Sequence, residues 1–419
     1  MSEARDAQVT VVGGGTIGCA VAYHLARAGF SDVQLLERAE LCGATSSQAA
    51  GLVGQVRMSV DRTRLAMRSV EAFASLEEET GVSPDWRQTG SIRLAMEPAR
   101  VAELEEMAAI AGRAGLEVEQ LSMSRLGELM PMINTAAVSS ALWCPSDGYL
   151  QPNSLTSAYI QGARSRGVTF ATHTEVVSVT VRAGEVVGIS TDRGDFTTEM
   201  VIDAAGPWAG VVASMVGVSL PIVPVRHQYY VTEAVPGWRP DLPVLRVPDA
   251  RIYARAEMSG VLCGGWEARA SSIDPRDVNR ESALSAEPDF EVLSGFAGAL
   301  ANVAPTTGDA GVRAVFRGYP TFSPDGRFIV GPIPGLRGFV MAAACNAHGV
   351  SGSAGLAAHV VESLSVDVSP YVRSLSPARF LTSGWEMEQM RKRAQAVYEN
   401  YYTIGAAAQG APVTPLEEE

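Results

Sequence analysis

Gly13, Gly15 and Gly18 stand between an apolar run, VTVV, and an alanine-rich stretch that begins at Thr16. That spacing does chemistry when a strand precedes it and a helix follows. Gly13 then allows the tight turn, Gly15 lets the backbone approach a pyrophosphate, and Gly18 lets the helix pack closely on the strand. Phosphates would sit on the N–H groups around Thr16 and Ile17, at the positive end of the helix dipole. Glu37 ends the next apolar run, VQLLE, where its carboxylate can accept both hydroxyls of a ribose. Glu37 also argues against a 2′-phosphate, although Arg38 follows it. The constellation points to an adenine dinucleotide; a purely structural glycine turn is the other reading.

The elements that must position these residues can be read along the chain. A strand at Gln8–Val12, a helix from Thr16 to Ala28 stopped by Gly29, and a strand at Val33–Glu37 make a βαβ unit. A small-residue loop, TSSQAAGLVG, follows, and then a helix from about Asp61 to Thr80. GSIRLAM reads as a strand, and PARVAELEEMAAIAGRAG as an amphipathic helix. WCPSDGYLQP resembles a hairpin and leads into a helix over Asn153–Arg166. Residues Val168–Val201 alternate as a meander with two tight turns and close on DAAGPWAG. Strand-rich segments, PIVPVRHQYYVTE, ARIYARAE and VLCGGWE, fill the middle. A helical patch near Asp289–Asn302 precedes GVRAVFRGYPTFSPDGRFIVGPI, GFVMAAA and CNAHGVSGSAG. One charged helix, WEMEQMRKRAQAVYENYY, and a polar tail end the chain.

Composition sets the bounds. The chain has 419 residues, 47% hydrophobic and 19% charged, enough apolar content for a large core. A net charge of −13 repels phosphate backbones and anionic bilayers, so neither a nucleic-acid nor a membrane partner is expected. All but one of the 33 basic residues are arginine, the exception being Lys392. Any anion must therefore be met by Arg, His or backbone N–H groups. Five single cysteines without a CxxC pair read as reduced thiols, and the polar N-terminus lacks a secretory pattern. A cytoplasmic protein is expected.

An extended FAD gathers contacts from the start, middle and end of a chain, and the candidate segments are spread in that way. The segments GGGTIGCAVAYHLARAG, LLER, GATSSQAAGLVGQVR, PSDGYLQP, DAAGPWAG, VRHQYYVTE, RIYARAE and TFSPDGRFIVGP resemble the D-amino-acid oxidase superfamily of FAD-dependent oxidoreductases. Within it the chain is most similar to the sarcosine/dimethylglycine dehydrogenase–oxidase branch. The resemblance implies an α/β fold: a Rossmann-like FAD-binding domain with a discontinuous β-sheet substrate domain. Residues 1–85, 141–220 and 313–375 would form the first, 86–140 and 221–312 the second, and 376–419 a C-terminal helix and tail. Cofactor contacts are then implied at Gly13, Gly15, Thr16, Ile17, Gly18, Glu37, Arg38, Thr45, Ser46, Ser47, Gln48, Leu52 and Val177. They continue at Ala205, Gly206, Trp208, His348, Gly349, Val350 and Ser351.

The resemblance also implies an acid–base pair, His227 and Tyr253, on strands that flank the substrate above the flavin. A hydride leaves the carbon beside nitrogen only when the amine is neutral, so a neutral imidazole or phenol must take or share that proton. By their own pattern, His227 is a satisfied strand histidine and Tyr253 a core aromatic. Arg255, two residues from Tyr253 on the same strand face, and His348 are substrate-side candidates. Arg57, Arg226, Arg251, Arg313 and Arg317 are further guanidinium candidates.

Three departures from the family matter. Gln48 stands where many relatives attach FAD to a histidine, and Gly318 and Tyr319 stand where others use a cysteine, so a dissociable FAD is expected. Pro320 stands where the glycine and D-amino-acid oxidases carry a carboxylate-binding arginine. The C-terminal RKRAQAVYENYYTI resembles the link to a folate-binding domain in larger relatives; without that domain an N-methyl substrate would release free formaldehyde. The expected function is oxidation of a small secondary or tertiary amino acid, with oxygen or a redox protein as electron acceptor. A glycine, D-amino-acid or proline-like imino-acid oxidase, and a flavin subunit of a hetero-oligomer, are the alternatives.

Overall fold

The apolar runs at Val9–Val12 and Val33–Leu36 bury all eight side chains because both lie inside a sheet covered on its two faces. The computed structural model describes residues 3–277, 287–381 and 385–405. Its six-stranded sheet runs in the order Ile329–Pro332, Phe339–Ala343, Met200–Asp203, Val9–Val12, Val33–Leu36, Thr169–Ala171. All neighbours are parallel except the first pair. Alternate side chains go to opposite layers. Val9, Val11, Leu35, Ile202 and Val340 meet the helices Thr16–Arg27, Pro152–Arg164 and Ser353–Ser363. Val12, Leu36, Val201, Phe339 and Met341 meet the meander Val176–Arg182, Glu185–Thr191, Gly194–Thr197. Each fully buried Leu or Val adds about 1.5–3 kcal/mol over leaving it exposed.

The second layer is an eight-stranded sheet that contains His227–Thr232, Val244–Val247, Ile252–Glu257 and Gly260–Gly265. Ile252, Ala254 and Ala256 point into a core with the helix Phe290–Val303, whereas Tyr253 points the other way with Tyr229. That second face looks onto the first domain.

Two strands cross the boundaries read from the sequence. Ser140–Cys144 and Val312–Gly318 belong to the eight-stranded sheet, not to the dinucleotide layer. PSDG is also no hairpin. Ser140–Cys144 pairs with Ser91–Ala95, while Gly148–Tyr149 pairs with Leu52–Val53, so the segment steps between sheets. The C-terminal helix Met387–Glu399 buries Met390, Ala394 and Tyr398, spaced by four, the last two against Val223, Trp266 and Phe322. The polar tail expected beyond it lies, from residue 406 on, outside the described residues.

Candidate active site

The glycine turn behaves as its spacing demands. Gly13 has φ +108°, and a side chain there would sit 2.6 Å from the Ala204 carbonyl oxygen; one at Gly18 would sit 1.9 Å from the Gly13 carbonyl. Strand, turn and helix thus approach as closely as backbones can. Glu37 braces the turn, its carboxylate accepting from the Gly14 N–H at 2.7 Å and the Ala39 N–H at 2.8 Å. Asp203 ends the neighbouring strand, and burial holds its carboxyl well above the usual carboxylate range.

These elements open on a cavity of about 550 Å³ that continues to the eight-stranded sheet. Gly13, Gly15, Ile17, Glu37, Arg38, Ala205, Gly206 and Trp208 line its strand-and-helix end. The Arg38 guanidinium lies 3.7 Å over the Trp208 ring. Thr45, Ser46, Gln48, Leu52, His348, Gly349, Val350 and Ser351 line the middle, and His227 and Tyr253 the far end. A narrow cleft fed by a helix N-terminus at one end and by buried polar groups at the other fits a long dinucleotide. Gly318 faces Gln48: a side chain built on Gly318 would touch the Gln48 Cβ at 3.4 Å. The two positions at which the family resemblance implies cofactor attachment therefore lie side by side.

Four expected cofactor contacts and one substrate contact do not reach the cavity. The Thr16 hydroxyl turns to Thr156 on the helix behind at 2.8 Å, and its N–H donates to Ser46 Oγ. Gly18 serves packing, as its close approach shows. Ser47 closes its own turn by donating to the Ala44 carbonyl. Val177 is 51% exposed. The pairing shifts between Ser190↔Ser178 and Thr191↔Val176, so Val177 is the extra residue of a bulge and Val176 lines the cavity instead. Arg255 shares the face of Tyr253, but Glu257 on that face pairs with it at 2.6 Å. It also donates to the Ala50 and Ala256 carbonyls and lies over Tyr149.

His227 and Tyr253 do meet. His227 Nε2 is 2.8 Å from Tyr253 Oη, and Nδ1 is 3.1 Å from Tyr398 Oη. Gly264 makes the meeting fit: it lies between Tyr229 and Tyr253, and a side chain there would stand 2.5 Å from Tyr253 Oη. Burial pushes the His227 imidazole down to about 4 and the Tyr253 phenol well up. Both are neutral near pH 7. Burial, then Arg57, Arg62 and Arg246, hold His348 well below its ordinary value.

Of the arginines considered, Arg57 lines the cavity, and burial lowers its guanidinium to about 10, still charged. Arg226 is taken by Glu267 and Asp289, and Arg251 by the Trp266, Glu267 and Glu399 carbonyls. Sequence reasoning missed Arg246, which lines the cavity directly across from Tyr253 in the antiparallel pair. It missed Trp266 and Tyr401 as well, whose rings stack at 3.7 Å to form an aromatic wall beside His227. A register for the 244–257 hairpin could have found Arg246, since VLRV carries a charge inside an apolar strand.

A family model for FAD dependent oxidoreductase (DAO) matches residues 8–363. The chain belongs to that family. It is 33% identical over 348 residues to mitochondrial dimethylglycine dehydrogenase of Rattus norvegicus, covering 80% of this chain and 40% of that protein. To 4-methylaminobutanoate oxidase (formaldehyde-forming) of Paenarthrobacter nicotinovorans it is 31% identical over 355 residues, covering 85% of this chain and 43% of that one. It thus spans less than half the length of these relatives. Among solved structures, L-proline dehydrogenase from P. horikoshii superposes with a TM-score of 0.81 at 23% identity, over 90% of this chain and 98% of that one. That likeness shows the fold. No helix among the described residues is long and apolar enough to cross a membrane.

Proposed function

We propose that the chain oxidises the C–N bond of a small secondary or tertiary amino acid, N-methylated at nitrogen. The observation that carries this reading is the 2.8 Å contact of His227 with Tyr253, with Arg246 directly across from Tyr253. Adjacent strands are roughly 4.8 Å apart. Arg246 and Tyr253 are cross-strand neighbours on one face of the sheet, so an amine at Tyr253 Oη and a carboxylate on Arg246 would lie on the same side of the cavity. Arg57 and Arg246 hold the carboxylate. The Trp266–Tyr401 wall receives the methylated nitrogen, as aromatic faces receive substituted ammonium groups. An ammonium has no lone pair for the developing iminium, so its proton passes to Tyr253 Oη while the Tyr253 hydrogen passes to His227 Nε2. When bound, FAD supplies the acceptor for the hydride. The iminium hydrolyses to an amine and an aldehyde.

The two curated relatives named above are described as acting on N-methyl compounds, which supports the same class here. Gln48 and Gly318 offer no attachment chemistry, so FAD is held non-covalently. The five cysteines are all free thiols, which suits a reducing, cytoplasmic setting. Anaerobic photometry with a panel of amino acids tests the substrate class. Bleaching of the flavin by N-methyl or N,N-dimethyl amino acids is expected. Bleaching by proline, glycine or D-amino acids alone, or by nothing in the panel, overturns the reading.

A further inference from the structure

The family match ends at residue 363, yet the site does not. The helix Met387–Glu399 buries Tyr398 completely, and its hydroxyl lies 3.1 Å from His227 Nδ1. His227 is thereby held between two phenols, Tyr398 on Nδ1 and Tyr253 on Nε2. Just past the helix end, Tyr401 Oη lies 3.3 Å from His348 Nε2. Two phenols of one segment thus meet the two histidines that line the cavity.

We propose that Tyr398 is a positioning residue that keeps the hydrogen of neutral His227 on Nδ1. The assignment follows from the proton path, and it rests on the proposed amine oxidation. Nε2 can take the Tyr253 hydrogen only if it carries a lone pair. A neutral imidazole has one N–H, so that hydrogen must be on Nδ1, donated to the Tyr398 oxygen. When Nε2 gains its proton, the imidazolium keeps the Nδ1–H···Oη bond, and the new charge keeps a buried partner. Burial raises the Tyr398 phenol, so it stays protonated; its oxygen accepts from the Glu267 N–H at 3.4 Å and has a second lone pair for the Nδ1–H. Its ring is wedged edge-on against Phe322 and tilted on Trp266, which fixes where the oxygen stands.

Tyr398→Phe keeps that ring and removes the oxygen. The chain has only five histidines, so ¹⁵N-histidine NMR of the substrate-free, FAD-loaded protein can follow each one, and His227→Gln identifies the His227 signals by difference. The wild type should show His227 as a single Nδ1–H tautomer. Tyr398→Phe should give a mixture of tautomers. It should also slow flavin reduction at saturating substrate by about tenfold or more, short of the ~10²–10⁴ of outright base loss. FAD content and substrate affinity should stay at wild-type values. An unchanged tautomer in Tyr398→Phe, an Nε2–H tautomer in the wild type, or a wild-type reduction rate each overturns the proposal. If no N-methyl amino acid reduces the wild-type flavin, the functional reading fails, while the NMR arm still decides whether Tyr398 sets the His227 tautomer.

Discussion

Arg246→Met removes a guanidinium and keeps most of its apolar stem. Arg246 stands across from Tyr253 and lines the cavity with Arg57, and in the proposed reading the two arginines share the substrate carboxylate. A hydrogen bond to a charged group contributes about 1.5–3 kcal/mol. Losing one such contact should weaken substrate binding roughly 10- to 150-fold, at about 1.4 kcal/mol per factor of ten. Arg57→Met should behave in the same way. Because both act on one group, the double variant should depart from additivity by about 0.5–3 kcal/mol, as contacting residues do. Stopped-flow reduction against substrate concentration separates the effects: apparent Kd should rise while the limiting rate, which the proposal assigns to His227 and Tyr253, changes little. Wild-type affinity in Arg246→Met, or a loss explained by missing FAD, would refute a carboxylate at Arg246.

Four other outcomes follow from the same geometry. Glu37→Ala should lower FAD affinity by about 1.5–3 kcal/mol with near-normal reduction in reconstituted protein; unchanged affinity removes Glu37 from the ribose. Acid precipitation should leave the yellow colour in the supernatant, and a yellow pellet would reveal a covalent bond. His227→Ala should slow anaerobic reduction by about 10²–10⁴ at normal FAD content, and Tyr253→Phe should slow it too; normal rates in both would move the chemistry elsewhere. Finally, burial lowers His24 and His227 from 6.5 to about 4. The unfolded chain protonates both near 6.5, whereas the folded chain resists down to about 4, so stability should fall as pH drops through that window. A melting temperature that stays level from pH 7 to about 5 contradicts this.

What the sequence disclosed depended on range. The dinucleotide end was legible because Gly13, Gly15, Gly18 and Glu37 act within a single βαβ unit, where spacing alone sets geometry. The Thr16 hydroxyl, in the same unit, turns by helix phase towards Thr156, and its N–H, the group expected to meet a phosphate, donates to Ser46 Oγ. Val177 failed by one residue, since a bulge breaks the period of two and only the pairing with Ser190 and Thr191 reveals it. The alternation of the strand gives the face of Arg255, but a partner two residues on, Glu257, occupies it. Arg246 required the register of a hairpin.

Tyr398 and Tyr401 required most of the fold. They reach His227 and His348 from 171 and 53 residues away, through a helix whose own pattern of charge and spaced apolar residues specifies only that one face is covered. Periodicity can say that Tyr398 is buried; it cannot say against which residue. A buried phenol within hydrogen-bonding distance of a half-buried imidazole differs chemically from a phenol in an apolar core, because removing its oxygen leaves a polar atom without that partner at a cost of about 1–3 kcal/mol. The helix that closes the core thereby also reaches the cavity, and on the proposed proton path a substitution at Tyr398 should appear in the chemistry of His227 as well as in stability.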